Sequence, residues 1–295
     1  MGSRDALAAA AFVLAAAPWW QAPPLSQEAS LAPLLSGLAQ TSTAETGPTP
    51  NDDLAFGEMK VPRWLAETVV RAAQATNVDP AYMLALADKE SSLLPDNKAR
   101  TSSAEGLFQF VETTWLEVLR RYGPKHGYAA EAEAIQVVQG RPVVSDSEDR
   151  ERILNLRRDP YLSALMAGEM ITTHRQILSG KVARDPSFAE LYMAHFLGVN
   201  GASRFVALLS DTPDKSAPEA FPSAAKANRS LFYARKEAGR KRKALTVAEV
   251  QGRLDAMIEK RVARYASVRG GLGSGAVAIA HASGWSLPGP FIALP

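Results

Sequence analysis

Apolar positions along the chain recur at helical spacing. Between Pro62 and Thr76 they fall on one face of an amphipathic helix, with Pro62 suited to the first turn, where its missing N–H costs nothing. Asp79-Pro80 predicts a second helix start, a capping carboxylate followed by a first-turn proline. Val111, Trp115, Val118, Leu119 and Tyr122 repeat at the same period, as do Leu162, Leu165, Met166, Met170, Thr173 and Ile177. Another stripe holds Phe188, Leu191, Tyr192, His195 and Phe196, and a last one holds Val247, Val250, Leu254, Met257 and Val262. No convincing alternation of strand type and no internal repeat stands out. The expected fold class is therefore mainly α, in one helical domain over residues 59–265.

The two ends read differently. Ala6–Ala17 is an unbroken apolar run preceded by Arg4. A membrane-spanning helix needs about 20 residues, so this run is too short to span and has the length of a secretory h-region. Residues 1–20 are read as a signal peptide, which implies a periplasmic or otherwise exported protein without a stable membrane anchor. A short buried or disordered helix is the alternative. Residues 21–58 are rich in Pro, Ser, Thr, Ala and Gly and predict a flexible spacer. Residues 266–295, Gly-, Ala- and Pro-rich toward the end, predict a loose tail.

Composition narrows the chemistry. The 295 residues carry a formal net charge of +2, which gives no reason to expect a nucleic-acid partner. The absence of cysteine excludes disulfides, thiolate metal sites and a cysteine nucleophile. His126, His174, His195 and His281 lack metal-ligand spacing, so no metal and no cofactor are expected. There is no nucleophile-elbow, phosphate-loop or dinucleotide fingerprint.

The informative segment is Asp79–Phe110. On the helix that starts at Pro80, Met83, Leu86 and Ala87 form an apolar stripe, and the next position on that stripe is Glu90. A carboxyl there faces the interior or a cleft, where desolvation favours the proton-bearing form that a general acid needs. The alternative is that the helix ends at Lys89 and Glu90 is a solvated terminal residue. Behind the helix comes a Ser/Thr-rich loop and then Gly106-Leu107-Phe108-Gln109. Gly106 permits close backbone approach, and Gln109 carries donors and an acceptor of the kind that hold sugar amides and hydroxyls.

Glu90-Ser91-Ser92 followed by Gly106-Leu107-Phe108-Gln109 resembles the paired motifs of the soluble lytic transglycosylases, the SLT domain of the lysozyme-like superfamily. Ala194-His195-Phe196-Leu197-Gly198, after Tyr192 and before Asn200-Gly201-Ala202, stands where that family has an Ala-Tyr-Asn-Ala-Gly-type segment. The resemblance covers roughly residues 60–210 and makes 59–265 the catalytic domain, with a helical C-terminal extension.

The resemblance implies a goose-lysozyme-like helical domain with a glycan cleft. It implies that Glu90 protonates the glycosidic oxygen between N-acetylmuramic acid (MurNAc) and N-acetylglucosamine (GlcNAc). The same carboxylate then takes a proton from the muramic C6 hydroxyl as that oxygen attacks C1, giving a 1,6-anhydro sugar without a second carboxylate. By the same carry-over, Ser91 orients Glu90 or a sugar group, and Gly106, Leu107, Phe108 and Gln109 line the cleft. Tyr192 and His195 are cleft-lining or core residues, and Tyr233 is the candidate for a later tyrosine facing the acid. The partner is the peptidoglycan glycan strand, and a protein of an envelope machine is a further partner class left open. Asp88, Asp96 and Glu105 are expected to be solvated surface or loop acids. The basic run within 235–243 is expected to be a solvated face, with contact to anionic wall polymer as the other reading. A hydrolytic muramidase on the same fold, with Asp96 as second carboxyl, and a non-catalytic wall-binding scaffold are the competing functions.

Overall fold

The computed structural model describes residues 53–234 and 242–272. The proposed signal peptide, most of the spacer, residues 235–241 of the basic run, His281 and the tail beyond 272 lie outside the described residues. The chain runs β1 (Asp53–Phe56), β2 (Met59–Pro62), α1 (Arg63–Ala75), α2 (Pro80–Ser91), α3 (Glu112–Tyr122) and α4 (Ala129–Ala134). It continues β3 (Gln136–Val138), β4 (Arg141–Val143), α5 (Ser147–Asn155), α6 (Pro160–Val182) and α7 (Phe188–Asp211). The short helices α8 (Ala217–Ala220), α9 (Pro222–Ala227) and α10 (Arg229–Phe232) lead to α11 (Val247–Arg264) and a closing 3-10 turn at Ala266–Gly270.

The fold is mainly α, and the five long-stripe segments are all helices. Two small antiparallel hairpins were not expected. The β1–β2 hairpin pairs Asp53 with Pro62 and Phe56 with Met59, so ordered structure begins ahead of Met59, inside the predicted spacer. The β3–β4 hairpin pairs Gln136 with Val143. At the other end, the predicted tail starts as packed structure. Val268 is buried, Arg269 donates to Asp79 at 2.6 Å, and Leu272 O accepts from Arg63 at 3.0 Å.

Helix packing closes a circuit: α1 lies against α2 and α6, α6 against α7, α7 against α11, and α11 returns to α2. One surface of α2 is therefore covered by a helix from far later in the chain, with Arg264 reaching back 176 positions to Asp88. Ala81 through Asp88, Glu90 and Ser91 are all buried. The expected apolar stripe is thus an underestimate. The α2 helix is hydrophobic nearly all round because it is the innermost helix, not a surface one. Its start follows the sequence closely: Asp79 Oδ1 accepts from Tyr82 N at 2.9 Å, with Pro80 in the first turn.

The α7 helix carries a break. Gly198 has φ 71° and ψ 160°, a backbone region open essentially to glycine alone, and the helix kinks there. Gly198→Ala is expected to cost about 1–3 kcal/mol, the usual scale of such strain. Thermal denaturation checks this, and an unchanged melting temperature would remove the argument.

Candidate active site

The site is built from the C-terminal end of α2, the loop that follows, one face of α6 and the kinked part of α7. The α2 helix does not stop at Lys89. It runs through Ser91 and ends with Ser92 in the left-handed conformation (φ 57°), followed by Leu93 at φ 61°. Glu90 is therefore an interior position with 9% exposure, which decides between the two readings open in the sequence. Its Oε1 is buried and accepts no hydrogen bond from the described residues.

The adjoining loop is held by a dense set of bonds. Gly106 N donates to Asn97 O at 2.9 Å, and Gly106 sits at φ 85°, where a Cβ would lie 2.0 Å from Arg157 O. No other residue fits that seat. Gln109, itself at φ 49°, donates through its side-chain NH2 to Asn97 O and Gly106 O, both at 2.9 Å. Beneath the loop, the buried Arg157 guanidinium donates to Ser103 O (2.6 Å), Phe110 O (3.3 Å), Leu154 O (2.8 Å) and Glu105 Oε2 (2.9 Å). Arg158 takes the other oxygen of Glu105 at 2.6 Å. Glu105 is thus a buried, doubly paired acid and not a solvated loop residue as expected. Asp88 is corrected in the same way. It is buried and accepts from Arg264 at 2.8 Å, with Arg261 at 3.9 Å. Asp96 is exposed, as expected.

A cleft opens over Glu90. It is lined by Phe108, Gln109, Phe110, Val111 and Thr114 from the loop and the start of α3, by Met170 and His174 from α6, and by Tyr192, Ala194, His195, Phe196 and Gly198 from α7. Among the described residues that line it, Glu90 is the one carboxyl. His195 Nε2 lies 3.7 Å from Glu90 Oε1, and the His195 side chain is 23% exposed, so it faces the cleft and not the core. Tyr192 is buried but contributes to the wall. Burial, and then the proximity of Glu90, push its hydroxyl well above the ordinary tyrosine range, so it acts as a neutral group. Tyr82, on the same helix as Glu90, is raised for the same two reasons.

The remaining expected site residues are placed otherwise. Ser91 is buried, and its hydroxyl donates to Ala87 O and accepts from Leu94 N, both at 3.2 Å. It fastens the end of α2 and is not in the cleft wall. Leu107 is fully buried core, and Gly106 is the backbone seat of the loop. Tyr233 is half-buried, pairs its backbone with Ala244 and is not among the residues of the cleft wall.

The sequence reading missed His174, which reaches the cleft from α6. Burial, with a smaller contribution from nearby His195, pulls its imidazole down to about 3, so it is neutral across the working range of most enzymes. Its only signal was a polar residue four positions after Met170 on an apolar stripe, which is also how an ordinary core histidine looks.

Residues 67–133 match the family model described as Transglycosylase SLT domain. The matched stretch runs from the first turns of α1 to α4. It contains Glu90 and the Gly106–Gln109 loop, while the α6 and α7 walls of the cleft and the α11 buttress lie beyond it. The helical architecture fits a lysozyme-like fold, and the matched domain points to a transglycosylase-type action on peptidoglycan.

Proposed function

We propose, from the SLT-type domain that frames Glu90, that this protein is a lytic transglycosylase. It cleaves the β-1,4 bond between MurNAc and GlcNAc in peptidoglycan and leaves 1,6-anhydro-MurNAc ends. The observation that carries this reading is the lone carboxyl in the cleft. A glycosidase that uses water or a covalent glycosyl intermediate ordinarily flanks the scissile bond with two carboxyl groups. The acids that the sequence offers as a second carboxyl are otherwise engaged or placed: Glu105 is tied to Arg157 and Arg158, Asp88 to Arg264, and Asp96 lies outside the cleft wall. With a single carboxyl as proton donor, the nucleophile is supplied by the substrate. The C6 hydroxyl of the muramic ring is held next to C1 by its own covalent frame, which gives it the advantage of proximity.

In this reading Glu90 protonates the departing oxygen. Phe108 and Tyr192 supply apolar walls against the sugar faces, and Gln109, its NH2 committed to the loop, supplies an acceptor for a substrate amide or hydroxyl. The substrate lies outside the cytoplasm, so the reading includes export, directed by residues 1–20. No described helix is long and apolar enough to cross a membrane.

Digestion of purified peptidoglycan in heavy-oxygen water tests the reaction type. Transglycosylation consumes no water, so the muropeptides are expected to be unlabelled, to lack a reducing muramic end and to be one water lighter than hydrolytic products. Heavy oxygen at the reducing end would identify water as the nucleophile and replace this reading with a muramidase.

A further inference from the structure

We propose that His195 is the second proton-transfer group of this site, taking the proton from the attacking hydroxyl while Glu90 serves as the acid. The inference rests on the transglycosylase reading and changes how its proton is handled. His195 Nε2 stands 3.7 Å from Glu90 Oε1, and both groups line the same cleft. That separation is too short for the pair to flank a sugar ring, since paired glycosidase groups stand about 5–5.5 Å apart in retaining enzymes and about 6.5–9.5 Å in inverting ones. It fits two proton transfers on one face of the ring. A 1,6-anhydro bridge has this requirement, because O6 joins C1 on the face from which the β-linked oxygen departs.

The surroundings leave His195 available for the task. Its Nδ1 is buried without a hydrogen-bond partner among the described residues, so no neighbour ties up the ring, and acceptance at Nε2 uses the tautomer with its proton on Nδ1. The titratable groups that interact with the pair are Tyr82 on α2 and Tyr192 on α7, both with Glu90, and His174 on α6, with His195, while Lys89 and Arg261 stand beside Tyr192. The two tyrosines and His174 are held neutral by burial. None of these offers a competing carboxylate.

The step balances. Glu90 gives its proton to the glycosidic oxygen and the C1–O4 bond breaks. O6 bonds to C1, and its proton passes to His195 Nε2. The imidazolium then returns that proton across the short gap to the Glu90 carboxylate, directly or through one water. Both groups are reset and no water is consumed.

Release of anhydro-muropeptides from purified peptidoglycan, measured across pH for wild type, His195→Gln and His195→Ala, tests the assignment. His195→Gln is expected to lose about 10²-fold in kcat with little change in KM, and to lose the acid-side limb of the pH–rate profile. Added imidazole is expected to restore part of the rate of His195→Ala, a response that a merely structural histidine would not give. A wild-type protein that releases nothing overturns the transglycosylase reading beneath the inference. An active wild type beside a His195→Gln variant that keeps both limbs, at whatever rate, overturns the inference alone.

Discussion

Glu90→Gln is expected to reduce peptidoglycan cleavage by about 10²–10⁴-fold, the range that a positioned acid–base group contributes. The substitution preserves the volume and shape of the side chain and removes the proton that the departing oxygen needs. The fold should tolerate it. Glu90 Oε1 accepts no hydrogen bond that the amide would forfeit, so stability should change by about 1 kcal/mol or less. Cleavage is read from the clearing of a peptidoglycan suspension and stability from a thermal melt of the same sample. A variant that melts with the wild type and still clears the suspension at a similar rate would show that another group is the acid.

Arg157→Ala is expected to have the largest effect on stability. Arg157 is 6% exposed and bonds three backbone carbonyls as well as Glu105. Removing it leaves those carbonyls short of donors and strips Glu105 of its buried partner, so that only Arg158 remains. Breaking a buried ion pair from one side costs about 3–5 kcal/mol. In a domain of this size that corresponds to a fall of roughly 10 °C in melting temperature. The loss should also reach catalysis, because Ser103 O and Phe110 O bracket the loop that carries Phe108 and Gln109. Arg157→Lys, which keeps the charge but not the fork, should recover only part of the stability. A melt within a degree or two of wild type would mean that the loop is held by Gly106 and Gln109 without its ionic base.

What the sequence disclosed, and what it withheld, follows from the range of the interactions. The start of α2 was legible because Asp79 and Pro80 act within one turn. The inward placement of Glu90 was half legible, since periodicity names a face but not where the helix stops. The outcome depended on Ser92 and Leu93 adopting left-handed backbone. The pairing of Asp88 with Arg264 was not legible, because the partners are 176 positions apart and an acid off an apolar stripe ordinarily faces water. Glu105 was misjudged for the same reason, its partners lying 52 and 53 positions away. The β3–β4 hairpin escaped notice because Val137, Val138 and Val143 are among the exposed large apolar residues, so its valines carry no in-and-out alternation. His195 was located by its motif. Its distance from Glu90 and the arrival of His174 from a different helix are three-dimensional facts with no local signature.

The return of α11 onto α2 also sets an order of events. Synthesis proceeds from the N-terminus, so the helix that bears Glu90 leaves the ribosome long before the residues that cover its other side. Until Arg261 and Arg264 emerge, Asp88 has neither of its ion-pair partners and the apolar flank of α2 lacks one of its neighbours. Closing so long a loop is entropically slow compared with forming the individual helices. The chain therefore acquires Glu90 early and its finished cleft last, and a nascent or truncated chain ending before α11 is expected to be a poor catalyst although it already contains every residue of the cleft wall.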